Sequence, residues 1–325
     1  MLNRKVSIDI LRSLIASIIV IYHILSCAVH NASYVNDEIL LEVQRINLAL
    51  EFHVPVFFMI TGYLWLGDDK LCTYQNVLVN IKKFFLVLFT IGFVYAIMQN
   101  FYANRNISFA LIINSFKDVL NGNLWDHMWF LYAIIGMYLL LPVLKPFYTN
   151  SSIKQILIFV LLLFSFSIIK PLVYSIGYKI PINIPSSSSL FYVCLGGLIA
   201  KCDLRYRMWW IILFVFSIGC LFISEQFISY SKVINSISAF SIFVFIITKF
   251  NNIQYENLRN FSDCTFGIYL FHPLFINIMI KVFHINPLHS YPIINCIVAS
   301  FSIIVLSFAM TYILRKNYWI RKHLL

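Results

Sequence analysis

The sequence predicts an all-helical, polytopic integral membrane protein with about ten transmembrane helices and both termini in the cytoplasm. Three observations predict it. Of the 325 residues, 61% are hydrophobic and only 11% charged, where soluble domains carry roughly 25% charged. Too few charged side chains exist to clothe a water-facing surface, so the apolar excess must face lipid. Apolar stretches of about twenty residues recur along the whole chain. With the N-terminus inside, seventeen of the 24 Lys and Arg residues fall in inner segments and seven in outer ones, the bias that orients such proteins. An inner C-terminus then requires an even number of spans.

The helices are expected near 8–27, 47–66, 83–101, 128–145, 153–170, 188–201, 208–224, 232–249, 262–283 and 291–314. The longest outer connections are 28–46, 102–127 and 171–187, the last rich in Pro and Ser, and none can hold a separate soluble domain. The chain therefore reads as one transmembrane domain over residues 1–325. It contains no internal repeat and no matched pair of broken helices, the mark of many secondary transporters. Arg4 and Lys5 before an apolar run imitate a secretory signal. Asp9, Arg12 and His23 interrupt that run, so the first segment is expected to stay in the mature protein.

The formal charge of +11 would point a soluble domain toward nucleic acid. Here cationic inner loops account for it, and no nucleic-acid partner is expected. The seven cysteines form no C-x-x-C pair and no cluster with His at zinc spacing, so neither a disulfide framework nor a metal site is expected. A G-x-S-x-G elbow, a P-loop, a dinucleotide fingerprint and H-E-x-x-H are all missing from the sequence.

Ionisable groups within apolar spans are costly and mark function. The first span carries the clearest set. Asp9 and Arg12 are three apart on one face, and His23 follows Arg12 by eleven residues. That spacing returns to within about 20° of the starting direction and advances about 16 Å, so one stripe joins the cytoplasmic rim to the region of the midplane. Arg12 is placed to hold an anionic ligand. His23 lies where the reactive end of an extended ligand such as coenzyme A would arrive, with an imidazole able to take a proton from an attacking hydroxyl. Snorkelling of Arg12 and an interhelical hydrogen bond from His23 are the structural alternatives.

The ninth span supplies a second intramembrane histidine, His272, preceded by Tyr269 and followed by Pro273, which frees a backbone carbonyl. Glu51 and His53 open the second span, where they suit an acceptor arriving from outside or simply a solvated helix end. In that span Thr61 and Gly62 are small enough for close helix contact. Asp126, His127 and Trp129 stand at the outer boundary of the fourth span. Aromatic anchoring at the interface and stacking on a sugar ring both fit them.

Taken in order, Asp9-Ile10-Leu11-Arg12, the Arg-x10-His spacing to His23, Val54 to Leu64, His127-Met128-Trp129-Phe130-Leu131 and Gly267-Ile268-Tyr269-Leu270-Phe271-His272 resemble the acyltransferase-3 family. The resemblance implies a ten-helix enzyme of the bacterial inner membrane. Such an enzyme passes an acyl group, most often acetyl, from cytoplasmic acyl-coenzyme A to a hydroxyl of a surface polysaccharide or its lipid-linked precursor. It implies His23 as catalytic residue with Asp9 and His272 beside it. Donor binding is expected from Arg12, Lys82, Lys83 and Tyr269, the two lysines being assigned by charge alone. Acceptor binding is expected from Glu51, His53, Asp126, His127 and Trp129. Thr61 departs from the Ser usual in the family, and His53 occupies a position that varies.

Longer members carry an esterase-like periplasmic domain, and this chain is expected to act without it or with a separate partner. Direct transfer and an acyl-histidine intermediate are both open, as is oligomeric state, a homo-oligomer included. The rival reading is a transporter or flippase for a glycan or small solute, with His23, His272 and Arg12 lining the path.

Overall fold

The computed structural model describes residues 5–31, 36–67, 72–175, 177–178, 187–223, 230–250, 258–289 and 291–325. All regular structure among them is helical. In chain order the helices are α1 (Val6–His30), α2 (Asp37–Leu50), α3 (His53–Leu66), α4 (Tyr74–Asn104), α5 (Phe109–Asn121), α6 (Asp126–Asn150) and α7 (Ile153–Tyr174). They are followed by α8 (Ser188–Lys201), α9 (Trp209–Ile223), α10 (Ser231–Lys249), α11 (Arg259–Val282), α12 (Pro292–Leu314) and α13 (Tyr318–His323). Eight helical segments are long and apolar enough to cross a membrane, α2 and α3 together making one of them. Two shorter apolar helices, α8 and α9, accompany these. Each of the ten expected spans thus has an apolar helix at its place.

The connections hold more helix than expected. Residues 28–46 contain the end of α1 and most of α2, and residues 102–127 contain α5. Both helices are announced by caps rather than by a long apolar run. Asn36 accepts from the Glu38 N–H at 3.0 Å, and Asp37 and Glu38 complement the positive end of the α2 dipole. Ser108 caps α5 at its start, and Gly122, at φ +75°, closes its end in the left-handed conformation. Most of the Pro- and Ser-rich connection 171–187 lies outside the described residues.

The coordinates divide into two compact units, residues 1–67 with 152–313, and residues 68–151 with 314–325. In the first unit α1 is central and contacts α2, α3, α10 and α11. Leu11, Ile15, Ala16, Val20, Ile24 and Ala28 along it are fully buried. The tightest pairing joins α3 to α8. A Cβ at Gly62 would lie 1.7 Å from the Val193 carbonyl oxygen, and one at Gly196 would lie 2.0 Å from that of Met59. Each glycine therefore receives the backbone of the other helix, a reciprocal contact that only small residues permit. Gly62 makes the close contact expected of it, whereas Thr61 bonds back to the Phe57 carbonyl at 3.2 Å. Between α9 and α10, the Ser217 and Ser238 hydroxyls meet at 2.8 Å in a buried site.

In the second unit, Asn100 of α4 donates to Asp118 Oδ2 of α5 at 2.7 Å and to Ser115 Oγ at 3.2 Å. Tyr132 of α6 donates to the Val119 carbonyl. These bonds fix α5 against its neighbours through its Leu111, Ser115 and Val119 face, and leave Phe109, Ile112, Phe116 and Leu120 outward.

Gly62→Ala and Gly196→Ala are each expected to destabilise the protein by about 3 kcal/mol, the overpacking cost where backbone must move. Gly219→Ala, whose new methyl meets nothing within 4 Å, serves as control. Thermal unfolding in detergent measures this, and equal melting temperatures for Gly62→Ala and Gly219→Ala would contradict the backbone contact.

Candidate functional site

α1 is an unbroken helix over Val6–His30, so the stripe from Arg12 to His23 keeps its expected geometry. Lower on the same helix Asp9 is 5% exposed. Its Oδ1 accepts a hydrogen bond from the Ser262 hydroxyl of α11 at 2.7 Å. Farther up, the His23 ring lies 5.1 Å from the His272 ring of α11, centroid to centroid. Both contacts ascend the two helices in the same direction, so α1 and α11 pair in parallel. The carboxylate–hydroxyl bond fixes their register at one end, and the two imidazoles meet farther along.

Three elements converge at the upper level. Tyr22 packs edge-on against His23 at 5.2 Å and in a tilted contact against His53 of α3 at 5.0 Å. His53 is 3% exposed and His272 is fully buried. His23 lies deep among its neighbours and keeps part of its surface accessible, as a reacting group must if a substrate is to reach it. The His53 and His272 imidazoles both lie within electrostatic reach of His23.

Two of the tautomers follow from the backbone. His53 Nδ1 lies 2.7 Å from the Leu50 carbonyl oxygen, and His272 Nδ1 lies 2.9 Å from that of Ile268. A carbonyl only accepts, so Nδ1 is the donor in both rings, and in each neutral ring Nε2 keeps its lone pair. Pro273, one residue on from His272 within the helix, has no N–H to donate. Tyr269 is 4% exposed, with its ring 6.4 Å from that of His272.

Of the residues singled out in the sequence, the first unit brings together His23, His53 and His272, with Tyr269 next to them, Glu51 at the break between α2 and α3, and Asp9 and Arg12 lower on α1. Lys82, Lys83, Asp126, His127 and Trp129 belong to the second unit. There Asp126 and Trp129 are exposed and His127 is buried. The His127 ring lies 5.9 Å from Tyr95, which in turn stacks on Trp125 at 4.3 Å. Asp126 and His127, though adjacent, therefore occupy different surroundings.

Sequence reasoning passed over Tyr22, Ser262, Tyr192 and Asn235. Tyr22 adjoins a singled-out histidine, and Asn235 is an amide inside an expected span, a signal that was there to read. Ser262 gave none, because its partner lies 253 positions away.

The acyltransferase-domain profile of the acyltransferase-3 family matches residues 5–316. The chain belongs to the acyltransferase-3 family. It is accordingly a membrane acyltransferase, and the match runs through both structural units. No curated protein and no solved structure shows a significant match.

In this acyltransferase, Ser262→Ala removes a buried hydrogen bond to a carboxylate and is expected to cost about 2 kcal/mol. Ser262→Thr keeps the hydroxyl and is expected to recover most of the loss. Melting temperatures of the two variants test this, and an alanine variant as stable as the threonine one would show that the bond does not hold the register.

Proposed function

We propose that the protein is an O-acetyltransferase of the bacterial inner membrane, moving acetyl from cytoplasmic acetyl-coenzyme A to a hydroxyl of a surface polysaccharide or its lipid-linked precursor. Eight long and two short apolar helices suit ten spans with both termini inside. The observation that carries the reading is the placement of His23, deep yet accessible beside His53 and His272, about 16 Å along one helical stripe from Arg12.

In this reading the His23 imidazole removes the proton of the acceptor hydroxyl as its oxygen attacks the thioester carbonyl. The C–O bond forms, the C–S bond breaks, and the coenzyme A sulfur leaves with the proton returned from the imidazolium. Arg12 holds donor phosphates at the inner mouth. Asp9, one end of the bond to Ser262, acts as a positioning residue. It lies fourteen positions before His23, about 21 Å along the helix, too far to touch the same atoms. His272, with Nδ1 tied to its own helix, offers Nε2 to the reacting centre.

The test is transfer of radiolabel from acetyl-coenzyme A to envelope glycan by purified protein. His23→Ala is expected to lower the rate by about 10²- to 10⁴-fold while the protein elutes as a folded species. Full activity in folded His23→Ala protein would end the assignment. Arg12→Gln is expected to raise the donor KM about tenfold or more, in keeping with loss of a charged phosphate contact, and to leave the acceptor KM unchanged. An unaltered donor KM would place the phosphates elsewhere.

A further inference from the structure

The break between α2 and α3 gathers a second set of polar groups that the reaction scheme above does not use. Asn235 of α10 is 3% exposed, and its Nδ2 donates to the Leu48 carbonyl at 2.9 Å. That bond fixes the amide's orientation. Its Oδ1, also buried, accepts no hydrogen bond from any described residue. Beside it Ser236 donates to the Lys232 carbonyl at 2.7 Å. The Ser236 proton being spent there, the 2.8 Å contact with Tyr192 of α8 must have Tyr192 as donor. The Tyr192 oxygen, 6% exposed as a residue, then keeps its lone pairs.

Glu51 joins the set from the helix break, within electrostatic reach of both Tyr192 and Lys232. His53, two positions on, has Nδ1 committed to Leu50, which in the neutral ring leaves the Nε2 lone pair to accept. Apart from the exposed Lys232 ammonium at the outer end, the hydrogen-bonding sites here are acceptors: a carboxylate, an amide oxygen, a phenol oxygen and an imidazole nitrogen. Buried acceptors of this kind are costly unless a donor meets them. The single formal charge on Glu51 is opposed by Lys232, so a neutral ligand rich in donors suits the set better than an anion. The groups also run inward. Lys232 is exposed, Glu51 half-buried and His53 buried, and His53 touches Tyr22, which touches His23.

We propose that Glu51, Tyr192, Asn235 and His53 form the acceptor subsite, and that its ligand is a neutral sugar ring held through donating hydroxyls. The assignment rests on the transferase reading. It adds Tyr192 and Asn235 to the acceptor residues and places the sugar next to the His23 imidazole.

The probe is polysaccharide and lipid-linked oligosaccharide extracted from cells lacking the protein, with radiolabelled acetyl-coenzyme A as donor. Tyr192→Phe, which keeps the ring, and Asn235→Ala are each expected to raise the acceptor KM about tenfold, the size of one buried hydrogen bond. The dissociation constant of acetyl-coenzyme A without acceptor should stay within about twofold of wild type, less than the loss of one hydrogen bond. Label released by mild alkali marks an ester and supports hydroxyl acceptance, whereas alkali-stable label marks an amide and overturns the sugar-hydroxyl assignment. Acceptor KM values equal to wild type in both folded variants overturn the subsite while leaving the transferase reading standing. No label in glycan with the wild-type protein overturns the transferase reading itself.

Discussion

Aspartate, arginine and histidine on one 25-residue apolar helix cannot all face hydrocarbon. Exposing an ionisable group to lipid is costly, and the cheapest escape is to turn it toward other protein. That constraint makes α1 the central helix of its unit. It contacts α2, α3, α10 and α11, and its apolar residues from Leu11 to Ala28 are buried among them. Asp9 finds a hydroxyl on α11, and His23 finds aromatic and imidazole neighbours from α1, α3 and α11. Satisfying the polar groups and assembling the candidate site are thus one event.

Close approach of α3 and α8 serves the same end by other means. With no hydrophobic force between helices in lipid, contact relies on van der Waals fit and on hydrogen bonds between helices. Gly62 and Gly196 let two backbones touch, which holds α8 against α3 although α8 has only fourteen residues. The short helix brings Tyr192 beside Ser236 of α10. A side chain at position 196 would meet the Met59 carbonyl and push α8 away from α3.

The architecture was legible in the sequence because lipid imposes a length on every span, and long apolar windows survive without knowledge of any contact. Helices α2 and α5 escaped the same reading. Neither is a twenty-residue apolar run, and their signatures are local caps: Asn36 for α2, and Ser108 and Gly122 for α5. The Arg12-to-His23 stripe was legible because a helix converts spacing directly into direction. The partner of Asp9 was not, since nothing local distinguishes Ser262 from the many serines that merely bond back to their own helix, as Ser241 does. His127 shows the converse limit. Its neighbours Asp126 and Trp129 suggested one polar and aromatic surface, yet a 3-10 turn opens α6 and sends His127 inward to Tyr95 while they stay outside.

A straight helix through residues 37–66 would keep more backbone hydrogen bonds than the interrupted pair α2 and α3 does. At the break, carbonyls near the end of α2 lose their helical donors. Side chains reach two of these carbonyls: His53 Nδ1 donates to that of Leu50, and Asn235 Nδ2 joins the Glu51 N–H on that of Leu48. Each of these side-chain bonds also orients a functional group. The first fixes the imidazole tautomer so that the neutral ring keeps its lone pair on Nε2, and the second fixes which end of the amide remains to accept. A helix interruption that would otherwise be a defect in an apolar medium is thereby converted into an array of oriented acceptors, one aromatic ring away from His23.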